Sequence, residues 1–261
     1  MSAETCETCE EPLVRLRYFP RQLITADCMR TEQAYFLDKR RRHNRYLHGF
    51  GVSCGLDVRR PPDADPERAG SKVWVCPGYA VSPEGDDILL DEPVCIDLAT
   101  GRQQPDPCCE PWPCPPVGRL PGGPRDLLTL WLAVRYAECL SRPVRVPATG
   151  CGCDETACDY SRIRDSFELK ALRALPDSHR IARERDEVWK KTFRGWRDGG
   201  AEQRQPMPVP PCPGCPPDPW VVLATIALRP TPDRSLDVIA IRFDDRRVLL
   251  STEALQVLHE P

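Results

Sequence analysis

The spacing of apolar positions predicts two kinds of element. From Ala26 to Leu47, Met29, Phe36, His43 and Phe50 recur every seven residues, with Leu37 and Leu47 beside them. That is one narrow apolar stripe on a polar helix. Thr25 is placed to cap this helix, Asp27 suits the positive end of its dipole, and Gly49 and Gly51 stop it. The period then falls to two. In GVSCGLDV, Val52, Cys54, Leu56 and Val58 alternate with small or polar neighbours, as in a half-buried strand.

Further strands are expected at Lys72–Cys76, Tyr79–Ser82, Ile88–Leu90 and Val94–Leu98, and the turn Pro83–Asp87 makes a hairpin between two of them. Leu127 to Tyr136 is apolar on both faces, which places it centrally in a sheet. Ile163, Phe167 and Leu169 mark another strand, and Trp220–Leu228 and Leu236–Phe243 two more. A second helix spans about Ser178 to Trp196, with Ile181, Val188, Trp189, Thr192, Phe193 and Trp196 on one face and Gly199 and Gly200 ending it. A short helix near Ala254–Leu258 closes the chain.

These elements predict an α+β protein, mostly β: an antiparallel sandwich or barrel with two packed helices. The expected organisation is an N-terminal tail and extended segment over residues 1–25, then a single β-rich domain over 26–261. Three long Pro- and Cys-rich loops interrupt it at 101–124, 141–160 and 199–218. Loops beyond ~12–15 residues are uncommon in compact domains, and here each carries a cysteine cluster.

Composition narrows the function. The 261 residues include 36 basic and 39 acidic side chains, a net charge of -3, which disfavours a nucleic-acid partner. No apolar run approaches the ~18–20 residues of a membrane span. The N-terminus MSAETCETCEE has neither the basic nor the apolar region of a secretory signal. Synthesis in the cytoplasm is therefore expected, with reduced thiols, which turns the cysteine clusters toward metal.

There are 15 cysteines, an odd number that disulfides within one chain cannot exhaust. Ten fall in clusters: Cys6 and Cys9; Cys108, Cys109 and Cys114; Cys151, Cys153 and Cys158; Cys212 and Cys215. A two-residue spacing lets both thiolates face one ion, and four thiolates satisfy tetrahedral zinc at ~2.3 Å. Structural zinc held by these ten residues is the expectation, with disulfides in an extracellular particle or unliganded thiols as alternatives. Against zinc, CPGCP places Pro216 where a zinc knuckle uses a backbone N–H. The other five, Cys28, Cys54, Cys76, Cys95 and Cys139, read as small buried hydrophobes.

No catalytic set assembles. His43 and His48 precede Cys54, but the helix stripe and strand alternation account for them better than a Cys–His nucleophile does. GFGVSCG leads from a helix into a strand, the reverse of a phosphate loop, and neither C-x-x-C opens a helix within a βαβ unit. The basic run Lys39, Arg40, Arg41, Arg42 and Arg45 is either a solvated helix face or a contact surface for an acidic partner.

Five segments taken together carry a resemblance: RYFPRQLITAD (Arg17–Asp27), RRHNRYLHGFGVSCGLDV (Arg41–Val58), VCPGYAVSPEGDDI (Val75–Ile88), CDYSRIRDSFEL (Cys158–Leu169) and VLLSTEALQVL (Val248–Leu258). They resemble a family of bacterial proteins whose genes are associated with phage-tail-like contractile injection systems. The GLDV and PGYAVSPEGDDI stretches are similar to strand–turn–strand units of phage tail and baseplate proteins. The resemblance implies a structural subunit or adaptor, with other protein subunits as partners and no small-molecule substrate. It tips the basic run toward the contact-surface reading. It implies no catalytic residues. A cytoplasmic zinc-binding interaction module is the alternative, and a thiol redox enzyme the third.

Overall fold

The computed structural model describes residues 12–61, 70–104, 127–146, 157–203, 206–231 and 236–259. Its first regular element is helix α1 (Ala26–His43), capped by Thr25, whose hydroxyl accepts from the Cys28 amide at 3.3 Å. A π-helical turn over Asn44–His48 follows, and Gly49 ends it at φ +76°.

Next comes a meander in which three long strands each bend once and pass from one small sheet to another. The pieces are β1 (Gly51–Gly55) and β2 (Val58–Arg59), β3 (Lys72–Val75) and β4 (Gly78–Val81), and β5 (Asp87–Leu90) and β6 (Val94–Asp97). A short β7 (Arg102–Gln104) follows them. One sheet runs β1-β4-β5 and the other β2-β3-β6-β7, all antiparallel. The bend between β1 and β2 needs Gly55: it sits at φ +59°, and a Cβ there would lie 2.1 Å from the Pro77 carbonyl oxygen.

The third sheet is formed by β8 (Leu128–Val146), β9 (Ala157–Leu172), β10 (Val221–Pro230) and β11 (Leu236–Arg242), in the order β11-β10-β8-β9. Helix α2 (Asp177–Gln203) connects β9 to β10, and α3 (Thr252–His259) follows β11. The core is one cluster drawn from all three sheets, with Leu56, Val73, Ile88, Ile96, Leu132, Leu223 and Ile226 fully buried. Val221 through Ile226 are buried at every position, so β10 is covered on both faces. The α+β, mostly-β expectation holds. So does the central position of the Leu127–Tyr136 segment, since β8 lies between β10 and β9.

Several expectations need correction. The loop assigned to 141–160 is strand at 141–146 and 157–160, because β8 and β9 extend into a long ribbon. Gly199 and Gly200 do not end α2, which continues to Gln203. The two helices were expected to pack on the sheet, yet α1 buries no residue at all. Its predicted stripe is solvent-facing at Met29 and Phe36, and Phe50 alone of that heptad series packs against the core. Helix α2 buries only its first turns, through Ser178, His179 and Ala182.

Candidate functional site

Three parts of the chain reach beyond the core with apolar side chains uncovered. The first is an N-terminal arm, residues 12–43. Its extended part carries Val14, Phe19, Leu23 and Ile24, of which Leu23 is 82% exposed, and α1 carries Met29 and Phe36, the latter 60% exposed. The second is the ribbon. Strand β8 pairs with β10 only over Leu128–Val134 and thereafter with β9 alone. Leu140 and Ile163 face each other across its two strands and are both exposed. The third is α2 beyond its first turns, where Val188 is exposed and the half-buried rings of Trp189, Phe193 and Trp196 follow one another at centroid distances of 6.1 and 5.7 Å. Isolated exposed apolar residues are ordinary, but aligned series of them on projecting elements mark interaction surfaces.

The arm is fixed at its C-terminal end by a polar clamp on the PEGDD turn between β4 and β5. Arg41 donates from Nε to the Asp86 carboxylate at 2.5 Å, and Arg40 pairs with Asp87 at 3.1 Å. The buried Asn44 side chain donates to the Gly85 carbonyl at 2.8 Å and to Asp87 at 3.0 Å. Tyr79 donates to the same Asp87 carboxylate at 2.5 Å. Burial, then this bond and the adjacent charge, push its phenol above the usual range. Gly85 lies at φ +95°, and a Cβ on it would come within 2.3 Å of the Arg41 carbonyl oxygen. The helix end and the turn therefore touch backbone to backbone, and only glycine fits between them.

This clamp engages part of the basic run within the chain itself. Arg40 and Arg41 are spent on Asp87 and Asp86, Arg45 donates to the Gly214 carbonyl at 3.0 Å, and Arg42 is half-buried. Lys39 remains exposed, its ammonium 5.8 Å from the Tyr35 ring. The acidic partner of Arg40 and Arg41 is thus within the same chain. PEGDD was legible as a turn, but nothing in the spacing told that its carboxylates face the helix.

Helix α2 is anchored just as specifically. The Ser178 amide donates to Asp218 at 2.9 Å, and the Val222 amide donates to His179 Nε2 at 3.0 Å. Arg183 pairs with Asp245 at 2.6 Å and Arg247 with Asp186 at 2.5 Å. Asp245 also accepts from Trp131 Nε1 at 2.8 Å and Thr225 at 2.9 Å. His179 is buried, which lowers its pKa to about 4 and keeps it neutral as an acceptor. Sequence reasoning missed His179, because a lone histidine at a helix start carries no distinguishing pattern.

Of the ten expected zinc ligands, Cys6, Cys9, Cys108, Cys109, Cys114, Cys151 and Cys153 lie outside the described residues, and Cys158 is placed in β9 by its backbone. Cys212 is a free, exposed thiol, whereas Cys215 is in a disulfide. A disulfide sulfur is no thiolate, so this C-x-x-C does not offer a zinc ion two ligands. Cys139, expected as a plain buried hydrophobe, is also in a disulfide, and Cys54 is exposed rather than buried. The Cys28 thiol is drawn below its ordinary value by the Thr25 hydroxyl, and burial raises that of Cys95. Among the described residues no group of three or more His, Cys, Asp or Glu side chains is placed to hold a metal.

Two depressions flank α2. One of ≈ 80 Å³ lies among Arg45, Phe50, Ser178, Ile181 and Pro213, smaller than the ~300–1,000 Å³ of small-molecule sites. The other, a groove of ≈ 410 Å³, runs between the Ile181, Val188 and Trp189 face and the chain at Val209 and Pro211. Its lining is chiefly apolar, with Glu184 and Arg185 as the charged members. No helix among the described residues is long and apolar enough to cross a membrane. No protein-family model matches the chain, and no curated protein matches it.

Proposed function

We propose that this protein is a structural subunit or adaptor of a phage-tail-like contractile injection particle, joined to its neighbours through its projecting elements. The observation that carries the reading is the N-terminal arm. A helix of 18 residues has no fully buried side chain, yet its end is bound to the meander by Arg41, Asn44 and Gly85. Ordering a segment costs ~1–2 kcal/mol of backbone entropy per residue, which burial against another subunit would offset. The resemblance of RRHNRYLHGFGVSCGLDV and VCPGYAVSPEGDDI to the tail-associated family supports the same reading. These two stretches are the ones the clamp holds together.

For the cysteines, the disulfides at Cys139 and Cys215 favour covalent staples over thiolate zinc, the alternative that suits an assembled particle outside the cell. The test is the composition of the particle. Tail-like particles sedimented from cells carrying the gene should contain this chain at a fixed ratio to the sheath protein by quantitative mass spectrometry. Its absence from intact particles would overturn the assignment.

A further inference from the structure

The π-helical turn that ends α1 brings together two residues that a regular helix would separate. In an α-helix, positions five apart are rotated by about 140°, since each residue turns ~100°. Here the turn over Asn44–His48 closes with the Gly49 amide donating to the Asn44 carbonyl at 2.9 Å. Its widening places His48 beside His43, with Nε2 to Nε2 at 3.3 Å, ring centroids 5.2 Å apart and ring planes at 59°. Both rings are exposed.

One ring can donate to the other at this distance when a single Nε2 carries the proton. The same spacing suits a shared metal ion bound by both nitrogens. Zinc–imidazole bonds of ~2.0–2.1 Å at a tetrahedral angle set the two nitrogens ~3.3–3.4 Å apart. The local field is mixed, since Lys39, Arg42 and Arg45 lie in the same stretch of chain. The pair sits at the C-terminal end of α1, where the free carbonyls favour a cation. The nearby Arg40 and Arg41 are neutralised by Asp87 and Asp86.

We propose that His43 and His48 form a two-imidazole chelate for a divalent transition-metal ion of the zinc class. Both Nε2 lone pairs bind the ion and both rings are neutral, protonated on Nδ1. Water fills the remaining positions, since no three-ligand cluster exists among the described residues. This site is separate from the cysteine clusters and stands whether or not the chain belongs to a particle.

The experiment is zinc sulfate titration of the full-length protein with its disulfides intact, followed by nitrogen-15 chemical shifts of the histidine rings. The Nε2 signals of His43 and His48 should move together while His179 stays unmoved. Zinc bound by thiols leaves all ring nitrogens unchanged and is read separately. His48→Gln should weaken zinc binding at His43 by at least the ~10–100-fold that loss of an outer-shell partner costs, and His43→Gln should do the same at His48. Both positions are exposed, so circular dichroism should show the variants folded. Rings unmoved at tenfold excess zinc would overturn the proposal. So would unchanged affinity at His43 in the His48→Gln variant, which would mean the imidazoles bind singly.

Discussion

Replacing Arg41 by alanine tests the clamp most severely. The Asp86 side chain is 2% exposed and the Arg41 side chain 31%, so the change strands a buried carboxylate whose remaining side-chain partner is Ser82 at 3.4 Å. Loss of one member of a fully buried pair costs ~3–5 kcal/mol. Water reaches one side of Arg41, which lowers the expected loss to about 2–3 kcal/mol. At ~2–4 °C per kcal/mol for a domain approaching this size, Tm should fall by about 4–12 °C. Arg40→Ala is the control: the Arg40 side chain is 54% exposed against Asp87, and its loss should cost ~0–1 kcal/mol. Combining Arg41→Ala with Asp86→Asn removes the stranded charge and should restore most of the stability. The assay is thermal and urea unfolding followed by circular dichroism for Arg40→Ala, Arg41→Ala, Asp86→Asn and the Arg41→Ala, Asp86→Asn double variant. A Tm for Arg41→Ala within a degree of that for Arg40→Ala, with an Arg41–Asp86 coupling below about 0.5 kcal/mol, would refute the clamp.

Other consequences follow from the same geometry. Gly85→Ala should destabilise by more than the ~1 kcal/mol of a typical substitution, because it adds a Cβ against the Arg41 carbonyl at a left-handed φ; urea midpoints measure this. His179 is held near 4, below the ~6.5 of an unfolded histidine, so the unfolded chain takes up its proton first. Its contribution, about 3 kcal/mol, is complete above pH 6.5 and lost as pH falls toward 4; His179→Gln should flatten stability over that window. Reduction should lower Tm, since each native disulfide contributes ~2–4 kcal/mol, and non-reducing peptide mapping should recover the Cys139 peptide and the Cys215 peptide each cross-linked to a further cysteine peptide.

The strands were legible because their chemistry is local. The alternation in Val73 and Val75, the apolar run of β8 and the glycines of the meander each declare a strand or a turn within a few residues. The break between β1 and β2 was not, since VSCGLDV alternates straight through Gly55 and the left-handed Leu56; the bend arises from contact with Pro77. The helices were located correctly and packed wrongly. A heptad of Met29, Phe36 and His43 reads alike whether it covers the chain's own sheet or a neighbour. The partners of Arg40 and Arg41 were hidden for a related reason, because their carboxylates lie about 45 residues away. The cysteine spacings fit zinc and disulfide equally, and only the disulfide-bonded states of Cys139 and of Cys215 separate them.

The central claim is that the apolar side of the N-terminal arm is covered by another subunit, and photo-crosslinking within assembled particles tests it most directly. A photoreactive amino acid placed at Phe36, and separately at Leu23, should give covalent adducts to a different chain when particles are irradiated. The same variants irradiated as isolated protein should give none. The exposed Leu89 in β5 serves as a control outside the arm. Adducts only within the same chain, or none in the particle, would contradict the claim and leave the arm without a partner.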